Sequence, residues 1–179
     1  MPKNQKEKAL FALLTVAITV CAFVFYSLYV INGSTLMEIT DTQSVIEAIR
    51  TLGGVYMFGT YLPVWALMLI EFAFAFTCEM CVGSPLSMKI ASKKINFKSA
   101  KPAEIENEII KATVTVMVPL MSLIAAFLYY PYYAGFSILT LLANWLKLIC
   151  FNFPFAYFTQ IFFIQPTVRF LFAKIVKEK

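Results

Sequence analysis

The chain has few charged residues and no histidine. Only 14% of its 179 residues are charged, against roughly a quarter in an average soluble domain, and 60% are hydrophobic. So small a charged fraction cannot coat a globule of this size, which excludes an ordinary soluble protein. The same composition excludes a disordered chain, a collagen-like fibre and a disulfide-rich secreted scaffold. The composition is that of an integral membrane protein.

The missing residue types also exclude most enzymatic sites. Without histidine there is no Ser-His-Asp or Cys-His arrangement, and the sequence has no Gly-rich phosphate-binding loop. Cys78 and Cys81 form a C-x-x-C motif, but no second cysteine pair lies near it to complete a metal site. We therefore expect a protein that is not an enzyme and has neither a cofactor nor a bound metal.

Four stretches are long and apolar enough to cross a bilayer, which takes about 20 residues. They cover residues 9–31, 61–83, 112–133 and 141–164. The first stretch is too long for a cleaved signal peptide and no small-x-small cleavage site follows it, so we interpret it as a retained span. The expected fold class is an all-α membrane protein with four transmembrane helices.

The distribution of basic residues predicts the orientation. All but two of the 15 lysines and arginines lie before the first span, between the second and third spans, or after the fourth. Under the positive-inside rule both termini are cytoplasmic, and the segment between the first two spans is external. The exceptions are Arg50 and Lys147, and we expect Lys147 to reach the outer interface. The basic inner rim faces lipid headgroups, and we expect no nucleic-acid partner because the aromatic residues lie in the spans.

The segments between the spans carry weaker patterns. Residues 42–52 place apolar side chains at helical spacing before Gly53 and Gly54, which predicts a short helix at the outer surface. That helix is either a connector resting on the bilayer interface or a lid over a central cavity. On the inner side, residues 99–102 interrupt the helical pattern. The acidic residues that follow are interpreted as a solvated face of the third helix, and they are Glu104, Glu106 and Glu108.

An internal repeat relates the second span to the fourth. Residues 71–85 align with residues 152–166 at an offset of 81. The matched residues are Phe72, Phe74, Ala75 and Pro85 with Phe153, Phe155, Ala156 and Pro166. This predicts two tandem helix pairs, residues 1–98 with the outer connector and residues 99–179, related by a pseudo-twofold axis along the membrane normal.

Two glutamates in the second span are the main candidates for chemistry. Placing an ionised side chain at the bilayer centre costs about 2.5–3.5 kcal/mol, so Glu71 and Glu79 should face the bundle interior. They are eight residues apart, so they lie about 80° apart on one side of a helix. The repeat places Asn152 and Gln160 at the equivalent positions, which predicts amide partners and in particular a Glu79–Gln160 hydrogen bond.

These four residues, Glu71, Glu79, Asn152 and Gln160, form the predicted substrate- or proton-binding site. A carboxyl removed from water favours its neutral form, so it can release a proton when a cation enters. The alternative is that the polar groups only hold the helices together.

The second half of the chain resembles a bacterial family of unknown function. The residues that carry the resemblance are Trp145, Phe153-Pro154 and residues 166–169, a Pro-x-x-Arg motif before a basic tail. The unit of that family is a pair of transmembrane helices, and the resemblance implies two such units in tandem. The first half has Trp65 but Ala73 and Met88 in place of the proline and the arginine.

In its arrangement of tandem transmembrane helix pairs, the chain is also distantly similar to the proteobacterial antimicrobial compound efflux transporters. Those proteins have an acidic residue in the first helix as the proton-coupling group, whereas the first span here has no carboxylate. No site residue is therefore transferred from them.

Together these patterns favour a small transporter or exporter of unknown substrate in a bacterial cytoplasmic membrane. Since four spans of a chain this short enclose little volume, we expect a homodimer as the working unit. One alternative is a non-catalytic membrane module that binds lipid or a partner protein. Another is a thiol redox protein using Cys78 and Cys81, although a cytoplasmic location would keep those thiols reduced.

Overall fold

The computed structural model describes residues 4–97 and 99–177 of the chain. Lys3, Lys98 and Lys179, which contributed to the predicted orientation, lie outside the described residues. Within the described ranges the chain forms helices and one two-stranded hairpin. The elements in chain order are α1 (Gln5–Tyr26), α2 (Gly33–Thr40), α3 (Val45–Leu52), β1 (Gly54–Met57), β2 (Thr60–Pro63), α4 (Val64–Cys78), α5 (Ser84–Lys94), α6 (Pro102–Leu128), α7 (Ile138–Thr159) and α8 (Gln165–Lys177).

Four continuous helices in the described part are long and apolar enough to cross a membrane, which confirms the predicted fold class. We call them span 1 (Gln5–Ile31), span 2 (Val64–Lys94), span 3 (Pro102–Leu128) and span 4 (Ile138–Val176). Span 2 begins later than predicted because residues 60–63 form a strand, and it continues as α5 beyond Gly83. The protein is therefore a multi-pass membrane protein.

The break between spans 2 and 3 lies where the sequence predicted it. Helix α6 begins at Pro102, a residue suited to the first helical turn because its missing N–H needs no partner there. The Glu104 carboxylate accepts a hydrogen bond of 3.2 Å from the Lys101 backbone N–H. An acidic side chain in the first turn also interacts favourably with the helix dipole.

Spans 2 and 4 each contain a π-helical turn that ends two residues before a proline. These π-turns are Glu79–Gly83, followed by Ser84 and Pro85, and Gln160–Ile164, followed by Gln165 and Pro166. Proline lacks an N–H and its ring crowds the carbonyl four residues earlier. In both spans the helix nevertheless continues through the proline, after a turn that is widened by one residue. The two π-turns are 81 residues apart, the same offset that aligns the two sequences.

The connector, which we define as residues 32–63, is more structured than predicted. The expected amphipathic helix is present as α3, and it ends at Gly53 in the left-handed conformation (φ 63°). Helix α2 and the hairpin were not predicted. In the hairpin Gly54 pairs with Pro63 and Met57 with Thr60 in antiparallel register.

The connector packs onto the ends of the spans. Leu36, Ala48 and Val55 are fully buried in the same apolar cluster as Leu67 of span 2 and Tyr129 at the end of span 3. The connector is therefore a folded cap on one end of the bundle, which we call the connector end. The ammonium of Lys147 lies 5.6 Å from the centre of the Phe58 ring in the β1–β2 turn, so Lys147 is at this end.

The contacts between the spans follow a pattern that repeats between the two halves of the chain. Span 1 packs against α4 of span 2 and against α8 at the end of span 4. In the same way, span 3 packs against α7 of span 4 and against α5 at the end of span 2. Spans 1 and 3 thus each contact the span that follows them and the C-terminal end of the remaining span.

Candidate functional site

A cavity of about 1230 Å³ lies between the four spans. Glu71, Glu79, Asn152 and Gln160 all line it, so the structure brings the four predicted site residues to one space. A single copy of the chain encloses this volume, and the expectation that four spans leave little room is wrong. The helices are separated along the cavity, and the connector covers one end of it.

The cavity is closed at the connector end and opens toward the end that carries both termini. Met57, Tyr129 and Leu148 line its closed end and are only 6%, 1% and 2% exposed. Lys8 and Arg169 line the other end and are exposed. The titratable or charged residues on the whole wall are Glu7, Lys8, Glu71, Glu79, Glu106, Tyr129 and Arg169.

Glu79 has a local partner rather than the one predicted across the bundle. Its carboxylate Oε1 accepts a hydrogen bond of 2.8 Å from the Ser84 hydroxyl, because the π-turn brings residue 84 beside residue 79. The other oxygen lies against Gly83, where an added Cβ would be only 2.6 Å from Glu79 Oε2 and 2.7 Å from Met117 Sδ. The predicted Glu79–Gln160 hydrogen bond is therefore wrong.

Gln160 bonds to span 1 instead. Its Nε2 donates to Thr19 Oγ1 at 3.0 Å, and its Oε1 accepts from Gln165 Nε2 at 3.3 Å. The second contact repeats the Ser84–Glu79 arrangement, since each π-turn pairs its first side chain with the side chain five residues later. The sequence contains a signal for these partners, because the polar residue before each proline also aligns at the 81-residue offset.

Asn152 is held by span 3 and leaves one buried oxygen without a partner. Its Nδ2 donates to Ser122 Oγ at 3.1 Å, whereas its Oδ1 has no hydrogen bond. The Tyr129 hydroxyl is likewise buried and has no partner in the described part of the chain. Both residues line the cavity, but these two unpaired oxygens are buried within the packed wall and are not open to the cavity. Sequence analysis did not identify Ser122 or Tyr129.

Glu71 is the least constrained of the four residues. It is half-buried, and no hydrogen bond or ion pair joins its side chain to another described residue. The predicted amide partner from span 4 is wrong, since Asn152 uses its N–H group on Ser122. A carboxyl therefore lies on the cavity wall with its hydrogen-bonding capacity unused.

The acidic residues of the third helix are not simply a solvated face. Glu106 is half-buried and forms an ion pair with Arg169 of α8, which links spans 3 and 4 at the open end of the cavity. Glu108 pairs with Lys111 at 2.6 Å one turn later. Sequence reasoning missed the Glu106–Arg169 pair because the two residues are 63 positions apart.

The four cysteines are free thiols. Cys78 is half-buried and Cys81 exposed, and neither lines the cavity in the described part of the chain. Although they flank Glu79 in the sequence, the two thiols do not share the cavity wall with it in the described structure.

Thr19→Val is expected to weaken the association of spans 1 and 4 modestly. The substitution keeps the side-chain shape but removes the acceptor for Gln160, and hydrogen bonds between helices in a bilayer average about 0.6 kcal/mol. Unfolding in mixed micelles with increasing denaturing detergent measures the loss. The matched control is Thr15→Val, because the Thr15 hydroxyl donates to Phe11 O within its own helix. Equal losses in both variants would contradict a role for the interhelical bond.

Comparisons with curated proteins and with solved structures found no match for this chain. A match was found among protein families, and it covers less than half of the chain. It begins in span 3 and ends with span 4, so it lies within the second predicted helix pair. Residues 111–176 match the family described as Domain of unknown function (DUF2798), which assigns no activity.

Proposed function

We propose that this membrane protein is a small transporter that binds protons and organic cations in the cavity between its spans. The observation that carries the proposal is the Glu71 carboxyl, which lies on the cavity wall without a hydrogen bond or ion pair to the described residues. An acidic side chain at membrane depth is a functional candidate because its burial is otherwise unfavourable.

The chemistry follows from the surroundings of Glu71. A carboxyl on this largely apolar wall either carries a proton or, as the carboxylate, pairs with a cation. A cation that enters stabilises the carboxylate and displaces the proton, so one site exchanges the two. Of the other titratable groups on the wall, Tyr129 lies at the closed end, Glu79 lies two turns from Glu71 toward the open end, and Glu7, Lys8, Glu106 and Arg169 lie at the open end.

The direction of transport follows from the orientation. We place both termini in the cytoplasm of a bacterial cell, since the basic residues cluster at that end. The cavity then opens to the cytoplasm and is closed on the outside by the connector. A protein in this state would load substrate from the cytoplasm, which supports export.

We also infer that the chain is a tandem duplication, with one helix pair in residues 1–98 and the other in residues 99–179. Two independent features support this. First, the π-turns of spans 2 and 4 are 81 residues apart and have the same side-chain contact. Second, span 1 contacts span 2 and the end of span 4, and span 3 contacts span 4 and the end of span 2 in the same way. A pseudo-twofold axis along the membrane normal would then pass through the cavity.

One feature favours an alternative function as a lipid-binding module. Met80 and Met88 line the cavity and are 43% and 46% exposed. The cavity wall therefore includes flexible apolar side chains against which an acyl chain could lie. In that case binding would not depend on Glu71.

The test is binding of tetraphenylphosphonium to the purified protein in micelles, measured by calorimetry between pH 5 and pH 8. We expect affinity to rise with pH, because the cation competes with the proton on Glu71. Glu71→Gln should lower the affinity at pH 8 about tenfold or more and remove the pH dependence, since about 1.4 kcal/mol corresponds to each factor of ten.

The control variant is Glu47→Gln, which neutralises an exposed carboxylate on α3 away from the cavity. It should bind like the wild type at every pH. Unchanged affinity and pH dependence in Glu71→Gln would reject the proposal. Binding of phospholipid that survives this substitution would favour the lipid-binding alternative.

A further inference from the structure

The open half of the bundle consists of two helix pairs, each packed within itself. Helix α8 packs against α1 and buries Val168 completely. Helix α5 packs against α6 and buries Ser87 and Ala91. We call residues 5–18 together with α8 the first arm, and α5 together with residues 102–116 the second arm. Each arm is thus a packed unit of two helices.

The cavity separates the two arms. Thr15 and Phe172 of the first arm and Met88 and Thr113 of the second arm all line it. In the described part of the chain the helices of one arm pack only slightly against those of the other, whereas toward the closed end α1 packs against α4 and α6 against α7. The mouth of the cavity is therefore a cleft between the arms.

An ion pair crosses this cleft. Arg169 of the first arm donates through Nη1 to Oε2 of Glu106 in the second arm, and both residues line the cavity. Their side chains are 44% and 22% exposed, so water reaches the pair. Ion pairs that water reaches are weak because solvent screens them. This pair can therefore form and break without unfolding either arm.

Both helices of the second arm have a point at which they can bend. Helix α5 follows the π-turn Glu79–Gly83, and the packing partner of span 2 changes there from α1 to α6. Helix α6 contains Pro119 just beyond the second arm. Sharp bends in helices occur at prolines and π-turns. Helix α1 of the first arm has neither between Gln5 and Tyr26, so the second arm is the one that can move.

We propose that the Glu106–Arg169 ion pair is a latch across the mouth of the cavity. Its release lets the second arm turn away from the first and widens the mouth, so that bulky molecules reach the cavity. Small molecules pass while the latch is closed. This inference goes beyond the proposed function, because it concerns access to the cavity and is the same for a cation and for a lipid.

The distance between the arms tests the latch directly. Spin labels at Lys93→Cys on α5 and Lys174→Cys on α8, both exposed positions, report it by pulsed electron paramagnetic resonance on the full chain in micelles. The four native cysteines are first replaced by alanine. We expect Arg169→Gln to raise the population at longer distances about two- to fivefold, the range for a partly exposed ion pair.

The matched control is Glu108→Gln. It removes a carboxylate from the same helix, but the partner of Glu108 is Lys111 at 2.6 Å within α6, so that pair does not cross the cleft. The distance distribution should remain that of the parent protein.

Charge exchange separates pairing from any other role of the two side chains. Glu106→Arg and Arg169→Glu each place like charges across the cleft, so each variant alone should favour the longer distance. The double variant restores an ion pair in the reverse direction, and we expect it to restore the parent distance. Loss of an unrelated structural contact would not be corrected in this way.

Reagents of different size measure access to the cavity. Thr113 is half-buried on the cavity wall, seven residues or about 10 Å along α6 from Glu106. A thiol introduced by Thr113→Cys in the cysteine-free chain is treated with N-ethylmaleimide or with the larger fluorescein maleimide. Arg169→Gln should accelerate the larger reagent about two- to fivefold, in line with the population of parted arms, and leave the smaller one nearly unchanged.

Several results would overturn the latch. They are an unchanged distance distribution in Arg169→Gln, an equal change in Glu108→Gln, and a double charge-exchange variant that keeps the longer distance. Equal acceleration of the two maleimides would show that the pair does not limit the size of what enters. None of these measurements involves Glu71, so the latch and the proposed function fail independently.

Discussion

Gly54→Ala is expected to open the hairpin of the connector. A Cβ at this position would lie 2.5 Å from the Leu62 carbonyl oxygen and 2.5 Å from the Tyr61 ring. The carbonyl is backbone in the paired strand, so it cannot move without breaking the β1–β2 register. Overpacking of this kind costs about 1–3 kcal/mol, and we expect the upper end of that range. Hydrogen exchange of the β1 amides in micelles measures the loss as a lower free energy of local opening.

Gly53→Ala is the matched control for this result. Gly53 has a positive φ of 63°, but an added Cβ there meets nothing within 4 Å. The expected cost is the left-handed conformation alone, about 1 kcal/mol. Equal acceleration of exchange in the two variants would show that the contact with Leu62 is not the cause.

Leu36→Ala is expected to destabilise the whole connector. Leu36 is fully buried between the connector and the ends of the spans. Its truncation leaves a cavity as well as losing apolar burial, which together cost about 2–5 kcal/mol for Leu→Ala in a core. The expected result is faster amide exchange throughout α2, α3 and the hairpin, with exchange in the middle of the spans unchanged.

Ile39→Ala on the same helix provides the comparison. Ile39 is 50% exposed, and exposed substitutions usually change stability by less than about 0.5 kcal/mol. If Leu36→Ala behaved like Ile39→Ala, the connector would not be a packed cap. Both experiments bear on the site, because Met57 of the hairpin closes one end of the cavity.

Side-chain contacts across the bundle show where sequence reasoning reached its limit. The positions of Glu71, Glu79, Asn152 and Gln160 on one cavity follow from helical periodicity and from the cost of burying polar groups in apolar surroundings. Their partners do not, because a shift of one residue redirects a side chain by about 100°. The π-turn adds such a shift in spans 2 and 4, and as a result Glu79 bonds to Ser84 and Gln160 to Thr19.

The connector illustrates a second limit. Its amphipathic helix is visible in the sequence as a regular apolar spacing, and α3 is where that spacing predicts it. The hairpin is not visible, since strands of four residues offer too few positions for an alternating pattern. The sequence predicts only that Gly54 helps to end the preceding helix, and the close approach of the paired strand is what requires a glycine there.

The amino-acid sequence by itself determined that this is a four-span helical membrane protein with polar residues on the inner faces of spans 2 and 4. These properties depend on composition, on the length of apolar runs and on helical period, which are local quantities. Only the tertiary structure decided that the spans enclose a cavity, that the connector closes it, and that Tyr129 and Ser122 belong to its wall. Those features depend on contacts between residues far apart in the chain, and no local pattern encodes which distant side chains meet.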